Sequence, residues 1–144
     1  MKLGLDLHGV IDAAPKFFSA LTDVLLSKGH EVYIITGRED CYKLRQEISD
    51  CGMVYSGILS ITSYQKALGT PVQYLNGDQA QPIMDPAIWN VSKAALCATA
   101  SIDIMIDDST LYEPYFRDIK TQYIIYSPAV QEWLNLMFYG GYES

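Results

Sequence analysis

The chain has 144 residues, of which 49% are hydrophobic, and its formal net charge is −7 at neutral pH. This length and composition predict one domain over residues 1–144 with a core of its own, and they exclude a disordered protein. The acidic balance argues against a nucleic-acid polymer or an anionic membrane surface as the partner, and no stretch approaches the roughly 18 uncharged apolar residues of a membrane span.

The first half of the chain alternates predicted strands and helices. A short apolar strand over 3–7 is followed by a helix that begins at Pro15, a residue suited to the first helical turn. The run EVYIITG (31–37) predicts a strand covered on both faces, because its apolar residues do not alternate with polar ones. Helical spacing of apolar residues predicts a helix over 41–51, and a weaker helix is predicted over GILSITSYQKALG (57–69).

The second half begins with a less regular segment. PVQYL (71–75) predicts a short strand, and the region from about 70 to 90 is expected to hold a small insertion or flap, with no separate cap domain. Asp85 and Pro86 suit the cap and the first residue of a helix. The remaining predicted elements are that helix to about Ala98, strands at IDIMIDD (102–108) and TQYIIYS (121–127), and a terminal helix from Ser127 to Met137.

Strands and helices in alternation are typical of parallel strands joined by right-handed crossovers. The sequence therefore predicts the α/β class: a three-layer, Rossmann-like sandwich with a mostly parallel sheet of about five strands.

The cysteines and the start of the chain bear on location. Cys41, Cys51 and Cys97 show no metal-ligand spacing, which favours reduced thiols. Asp6 interrupts the region where the apolar part of a signal peptide would run. We therefore expect a cytoplasmic protein.

Polar residues stand at the ends of three predicted strands. In an open parallel sheet these ends meet at one edge, where ligands bind. Each polar pair alone is also typical of an ordinary turn, but carboxylates gathered at one crevice need a cation, and Mg²⁺ prefers such hard oxygen ligands. The strand-end residues are Asp6 and His8, then Thr36, Gly37 and Arg38, then Asp107 and Asp108.

Four motifs in this order resemble those of the haloacid dehalogenase-like superfamily, most of whose members are phosphatases. They are LDLHGV (5–10), IITGR (34–38), Lys93 within WNVSKAAL (89–96), and IMIDDS (104–109). The first, second and fourth are specific in combination, whereas the third is only a lysine at a suitable place. The resemblance spans most of the chain and indicates a small, capless, phosphatase-type member.

The resemblance implies a Mg²⁺-dependent phosphomonoester hydrolase that forms an aspartyl-phosphate on Asp6. Thr36 would hydrogen-bond the phosphoryl oxygens, and Lys93 would supply fixed positive charge. The implied catalytic residues are Asp6, His8, Thr36 and Lys93; the implied substrate-binding residues are Thr36, Gly37, Arg38 and Lys93; the implied metal ligands are Asp6, the His8 backbone carbonyl, Asp107 and Asp108. From the residues alone, Arg38 either contacts substrate or pairs with Glu39 or Asp40.

His8 departs from the family pattern. The family usually has a second aspartate there, which protonates the leaving oxygen and then activates water. Imidazole is a common general acid/base, so His8 is expected in that role. Two alternatives remain: an aspartyl-phosphate that hydrolyses slowly, and a catalytically degenerate module that binds phosphate or another protein. A receiver-like domain fits less well, because its acidic pair follows the first strand.

The expected partner is a small phosphorylated substrate, either a mononucleotide or another phosphate ester, with a phosphoprotein as the alternative. A capless site is open to solvent, which is an expectation at the level of the family. The apolar segment LNLMFYGGYES (134–144) is suited to packing or to a homodimer contact.

Overall fold

A parallel five-stranded sheet forms the centre of the protein, which we describe over residues 1–138 from a computed structural model. Within these residues the strands are β1 (Lys2–Asp6), β2 (Glu31–Thr36), β3 (Gly57–Ser60), β4 (Gln73–Tyr74), β5 (Pro82–Ile83), β6 (Ile104–Asp107) and β7 (Gln122–Ile125). The strand order of the main sheet is β3-β2-β1-β6-β7, and every neighbouring pair is parallel. β1 is therefore the central strand, and four of its five residues are buried.

Helices cover both faces of this sheet. They are α1 (Pro15–Ser27), α2 (Tyr42–Asp50), α3 (Ile61–Ala67), α4 (Pro86–Thr99) and α5 (Pro128–Phe138). One core packs α1, α2 and α5 against the sheet through Phe18, Leu21, Leu25, Leu44, Ile48 and Leu134. The core on the other face packs α4 against β2 and β6 through Ala94, Cys97, Ile35 and Met105. This arrangement confirms the predicted three-layer, Rossmann-like α/β sandwich.

One predicted element was wrong, and another was assigned to the wrong sheet. Residues 57–60, predicted as the start of a helix, form the edge strand β3, which pairs with β2 from Tyr33↔Gly57 to Thr36↔Ser60. The strand predicted over 71–75 does not join the main sheet. Its residues Gln73 and Tyr74 pair antiparallel with Pro82 and Ile83 in a small hairpin.

The hairpin over residues 73–83 is tied to the edge of the sheet through Glu39. Lys66 Nζ donates to Glu39 Oε1 at 2.5 Å, and Tyr74 OH donates to Glu39 Oε2 at 2.9 Å. Gln79 Nε2 donates to Glu39 Oε2 at 3.3 Å. A single carboxylate, with 13% of its side chain exposed, thus holds the base and the tip of the hairpin.

The C-terminal helix begins at Pro128, as predicted. Leu134 is buried, whereas Trp133, Leu136 and Met137 are exposed. Residues 139–144, the rest of the segment suited to packing or to a homodimer contact, lie outside the described residues, so that contact stays a prediction. No helix within residues 1–138 is long and apolar enough to cross a membrane, and the three cysteines carry free thiols.

Candidate phosphoryl-binding cleft

A cleft of about 390 Å³ opens at the carboxyl ends of β1, β2 and β6. It lies where parallel sheets bind ligands, at the edge of the sheet where the strand-end residues were predicted to meet. Its lining includes all eight site residues predicted from the sequence, namely Asp6, His8, Thr36, Gly37, Arg38, Lys93, Asp107 and Asp108. The structure brings these residues together, and their chemical roles remain predictions.

Lys93 bridges two carboxylates in the floor of the cleft. Its Nζ donates to Asp107 Oδ2 at 2.6 Å and to Asp6 Oδ1 at 3.5 Å. Lys93 is 3% exposed, Asp6 8% and Asp107 1%. α4 delivers this lysine from the face that packs on the sheet, so its aliphatic stem is buried while its ammonium meets the strand ends. One cation between two acids leaves the floor negatively charged.

Burial and charge shift the acid–base balance of this floor. Burial is the largest cause that raises the pKa of Asp6, to about 7; Lys93 opposes it, and Asp107 and Asp108 add to it. Burial alone would lower the pKa of Lys93, but Asp6 and Asp107 outweigh it, so the pKa of Lys93 lies above its usual value. Lys93 is therefore charged at neutral pH, whereas Asp6 is close to half ionised.

Asp107 and Asp108 are adjacent in sequence but differ in surroundings. The second oxygen of Asp107 accepts the Ser109 backbone N–H at 3.0 Å, so both of its oxygens are engaged. Asp108 is exposed and lies against Gly9, whose φ is +88°. A Cβ at residue 9 would stand 2.0 Å from Asp108 Oδ2, so only glycine allows this approach.

Oxygens of Asp6, Asp107 and Asp108 lie within 4.8 Å of one another. Three carboxylates opposed by one lysine form a hard, negatively charged donor set, which fits a cation such as Mg²⁺. Asp108 has the most accessible carboxylate of the three, so it is the better candidate for a direct ligand, and Asp107 mainly holds Lys93.

Thr36 ends β2 with its hydroxyl oriented by the backbone. Arg38 N–H donates to Thr36 Oγ1 at 3.2 Å, which leaves the hydroxyl hydrogen free to donate to a ligand oxygen. The loop that follows is braced by hydroxyls of β3 and α3: Ser60 Oγ donates to the Arg38 carbonyl at 2.5 Å and Thr62 Oγ1 to the Gly37 carbonyl at 2.6 Å. Neither brace was predicted from the sequence, because residues 57–60 were predicted as part of a helix and not as a strand.

His8 stands at the rim with both ring nitrogens engaged. Nδ1 lies 3.1 Å from Asp12 Oδ2, and Nε2 lies 3.3 Å from Arg38 Nη1. A guanidinium can only donate, so Nε2 accepts, and in the neutral ring Nδ1 carries the hydrogen and donates to Asp12. The other Asp12 oxygen accepts the Gly9 N–H at 2.7 Å. Asp12 therefore fixes the orientation of the His8 ring, a contact that was not predicted from the sequence.

Arg38 does not pair with Glu39 or Asp40, which corrects that alternative. Its Nη1 donates to Glu47 of α2, while Asp40 is held by Arg45 at 2.8 Å. The pairing could not be found from neighbouring residues, because Glu47 is nine positions away and reaches Arg38 only when α2 folds back on the sheet.

Aromatic residues and the hairpin form the remaining walls. Trp89 Nε1–H donates to the Tyr112 hydroxyl at 2.8 Å, and Lys93 Nζ lies 4.4 Å from the centre of the Tyr112 ring. A Cβ at Gly37 would lie 2.3 Å from the Trp89 ring, so the ring packs directly on the backbone there. The sequence signal for Trp89 was its i, i+4 spacing from Lys93, which places both on one face of α4. Ala80, Gln81 and Pro82 of the hairpin region and Ser109 complete the lining.

No protein-family model and no curated protein matches the chain. Among solved structures, the fold is similar to that of an uncharacterized protein from Corynebacterium glutamicum ATCC 13032 Kitasato. The TM-score is 0.57 at 13% sequence identity, over 96% of this chain and 94% of that chain. At this identity the likeness concerns the fold alone, and it agrees with the α/β architecture.

Proposed function

We propose that the protein is a phosphomonoester hydrolase of the haloacid dehalogenase-like type, with Asp6 as its nucleophile. The observation that carries this proposal is the buried Asp6–Lys93–Asp107 cluster, with Asp108 beside it and the Thr36 hydroxyl at the next strand end. Phosphoryl transfer through a covalent intermediate uses a carboxylate nucleophile, a fixed positive charge and hydrogen-bond donors. These groups lie together at one edge of the sheet.

In the first step an ionised Asp6 oxygen attacks the phosphorus of the ester. The bond between phosphorus and the ester oxygen breaks with its electron pair, and the leaving oxygen takes a proton from the acid/base group. The Thr36 hydroxyl and Lys93 ammonium bind the phosphoryl oxygens, whose negative charge is spread over the group being transferred.

In the second step water attacks the phosphorus of the aspartyl-phosphate. The water proton passes to the acid/base group, and the Asp6 carboxylate and inorganic phosphate are released. His8 occupies the acid/base position, and Asp12 fixes its ring orientation. Asp6, Asp108 and the His8 carbonyl would hold Mg²⁺, with Asp107 in support, and the ion would reduce the repulsion between the carboxylates and the anionic ester.

The substrate that suits this cleft is a small phosphate ester. A volume of about 390 Å³ is at the lower end of the range for small-molecule sites. The aromatic wall of Trp89 and Tyr112 suits a planar group such as the base of a mononucleotide, and a phosphoprotein is the alternative substrate.

The test is hydrolysis of p-nitrophenyl phosphate with Mg²⁺ and with EDTA. We expect activity only with Mg²⁺, and its loss in Asp6→Asn. Fluoroberyllate, which imitates an acyl phosphate, should raise the melting temperature of the wild type and not that of Asp6→Asn. Asp23→Asn, which removes an exposed carboxylate of α1, is the matched control and should behave as the wild type does. Equal protection of the wild type and Asp6→Asn would rule out covalent chemistry at Asp6.

The second candidate is a module that binds phosphate without turnover. It is favoured by the engagement of both His8 nitrogens with Asp12 and Arg38, because proton transfer requires one of them to exchange its partner. In this case the wild type should bind fluoroberyllate or phosphate and hydrolyse nothing, and His8→Asp should introduce hydrolysis. If the wild type is active, His8→Ala should lose roughly 10²- to 10⁴-fold in rate.

A further inference from the structure

Arg38 carries a pair of donors that no residue of the described chain satisfies. Arg38 is 8% exposed, and its Nε and Nη2 atoms are buried without an acceptor within residues 1–138. Buried polar groups in folded proteins are nearly always hydrogen-bonded, and an unpaired donor of a charged group costs stability. The side chain lines the cleft, so the cleft is the route by which an acceptor reaches these donors.

The unpaired donors form the edge of the guanidinium that binds oxyanions in pairs. Nε–H and one Nη2–H point in parallel, which matches two oxygens of a carboxylate or phosphate. Arg45 shows this use of the same edge, with Nε and Nη2 each donating to Asp40 at 2.8 Å. In Arg38 the third nitrogen, Nη1, is held by Glu47 and His8. The protein thus anchors Arg38 through one nitrogen and leaves the paired edge for a ligand.

The unpaired edge and the phosphoryl position belong to different parts of the cleft. Lys93 Nζ donates to Asp107 and Asp6 in the floor, at 2.6 and 3.5 Å. The guanidinium of Arg38 instead bonds His8 and Glu47 at the rim, and among the described residues it shares no hydrogen-bond partner with Lys93. Lys93 therefore lies beside the carboxylates of the floor, whereas the guanidinium of Arg38 lies at the rim.

We propose that the paired edge of Arg38 binds a second acidic group of the substrate, separate from the phosphoryl group that is transferred. The substrates are then phosphomonoesters that also carry a carboxylate or a second phosphate, and a neutral ester lacks this anchor. This inference rests on the proposed function for the position of the phosphoryl group, but it concerns recognition and not chemistry.

Binding of phosphonates tests recognition apart from turnover, because their carbon–phosphorus bond is not hydrolysed. Phenylphosphonate is compared by calorimetry, in the presence of Mg²⁺, with its 2-, 3- and 4-carboxy derivatives and with the corresponding bisphosphonates. The isomers vary the spacing between the two anionic groups, and the two series distinguish a carboxylate from a second phosphate. We expect at least one diacid to bind roughly 10- to 100-fold more tightly than phenylphosphonate, as suits a charge-assisted pair of hydrogen bonds.

The readout for the variants is the affinity for the tightest-binding diacid divided by the affinity for phenylphosphonate. Arg38→Lys keeps the charge but not the paired donors, so the ratio should fall to within about threefold of unity, since a lysine is a point charge. Arg38→Gln removes the charge and should do the same. Arg45→Lys, which alters an exposed arginine with the same fork geometry outside the cleft, should keep the wild-type ratio. Thermal melts confirm that each variant is folded.

The outcomes separate this inference from the proposed function. Equal affinity of the wild type for all the ligands, or a preference that survives in both Arg38 variants, overturns the inference and leaves the phosphoryl site standing. Binding of the diacids alone, dependent on Arg38, supports the inference and counts against the phosphoryl site. Failure of every ligand to bind overturns both.

Discussion

At the scale of single residues, the cleft depends on how one lysine is shared. Lys93 holds Asp107 more closely than Asp6, at 2.6 Å against 3.5 Å, so Asp6 is the less compensated of the two buried acids. This condition suits the nucleophilic role that we propose for Asp6, because an oxygen committed to a close ion pair attacks poorly. The same condition makes Asp6 a source of pH-dependent stability.

We expect the metal-free protein to lose stability relative to Asp6→Asn as the pH rises. The pKa of Asp6 is about 7 in the folded protein and 3.8 in the unfolded chain. Folding therefore favours the protonated form: the stabilising contribution is complete below pH 4 and is lost as the pH rises through 7. One pKa unit corresponds to about 1.4 kcal/mol, so the stability of Asp6→Asn minus that of the wild type should increase by about 2–3 kcal/mol between pH 5 and pH 8.

Urea unfolding in EDTA at the two pH values measures this difference. Asp23→Asn serves as the control for the loss of one negative charge at an exposed site on α1. A difference between Asp6→Asn and the wild type that stays constant from pH 5 to pH 8 would show that the Asp6 carboxyl is not perturbed by its burial.

Gly9 provides a second prediction, because a matched glycine exists elsewhere in the chain. Gly9 and Gly29 have φ values of +88° and +84°, but only at Gly9 would a Cβ collide with Asp108, since nothing lies within 4 Å of a Cβ at Gly29. Both alanine variants should lose roughly 1–2 kcal/mol of stability from the left-handed backbone. Only Gly9→Ala should weaken Mg²⁺ binding, by roughly 10- to 100-fold, because it displaces a carboxylate of the proposed Mg²⁺ site.

Calorimetric titration with Mg²⁺ checks this, and Asp108→Asn should match Gly9→Ala in the loss of affinity. Equal Mg²⁺ affinities in Gly9→Ala and Gly29→Ala would show that Mg²⁺ binding does not require the close contact between Asp108 and Gly9.

At the scale of secondary-structure elements, the short strand β3 positions the loop that follows Thr36. Ser60 ends β3 and caps α3, where its Oγ accepts the Ser63 N–H at 3.0 Å and donates to the Arg38 carbonyl. Ser60→Ala should cost about 1–2 kcal/mol, the upper range for loss of a helix cap, because a second hydrogen bond is lost with it. It should also weaken the binding of inorganic phosphate, since the loop after Thr36 loses a brace.

Chemical denaturation and phosphate titration give the two readouts. Ser27→Ala is the control, because the Ser27 hydroxyl bonds the Val24 carbonyl of its own helix and lies on the surface, so a change within about 0.5 kcal/mol is expected. If Ser60→Ala is no less stable than Ser27→Ala, the Ser60 cap does not stabilise the folded protein.

The same strand shows where sequence reasoning stops. β1, β2, β6 and β7 were predictable because each is a run of apolar residues with turn-forming residues nearby. β3 was not, because its four residues run directly into the helix that Ser60 caps, and the periodic pattern of α3 extends over them. A propensity averaged along the chain cannot separate a four-residue strand from the helix that follows it. In the folded protein, pairing with the edge of β2 makes these four residues a strand.

The residues of the candidate site also fall into those that were predictable from the sequence and those that were not. Asp6, Thr36 and Asp107 were predictable because strand ends of a parallel sheet meet at one edge, whatever the details of packing. Their partners Asp12 and Glu47 were not, because their contacts depend on how a turn and a helix lie on the finished sheet. Such contacts leave no short-range signal in the sequence.

At the scale of the whole molecule, the central position of β1 determines when the cleft can exist. β1 pairs with β2 on one side, but its other neighbour is β6, in the register Leu3↔Ile104. Asp6 and Lys93 are 87 positions apart. Contacts of such long range are slow to form, because loop-closure entropy must be overcome before they stabilise the chain.

During translation, the separation of β1 and β6 along the sequence causes a delay between their synthesis. At about 5–20 residues per second, roughly 5–20 s pass between the synthesis of β1 and that of β6, and during that time one edge of β1 has no native partner. An unpaired apolar strand edge is a site for association with other chains. The topology that gathers acidic groups from both halves of the chain into one cleft therefore leaves one edge of β1 open to association with other chains until translation reaches β6.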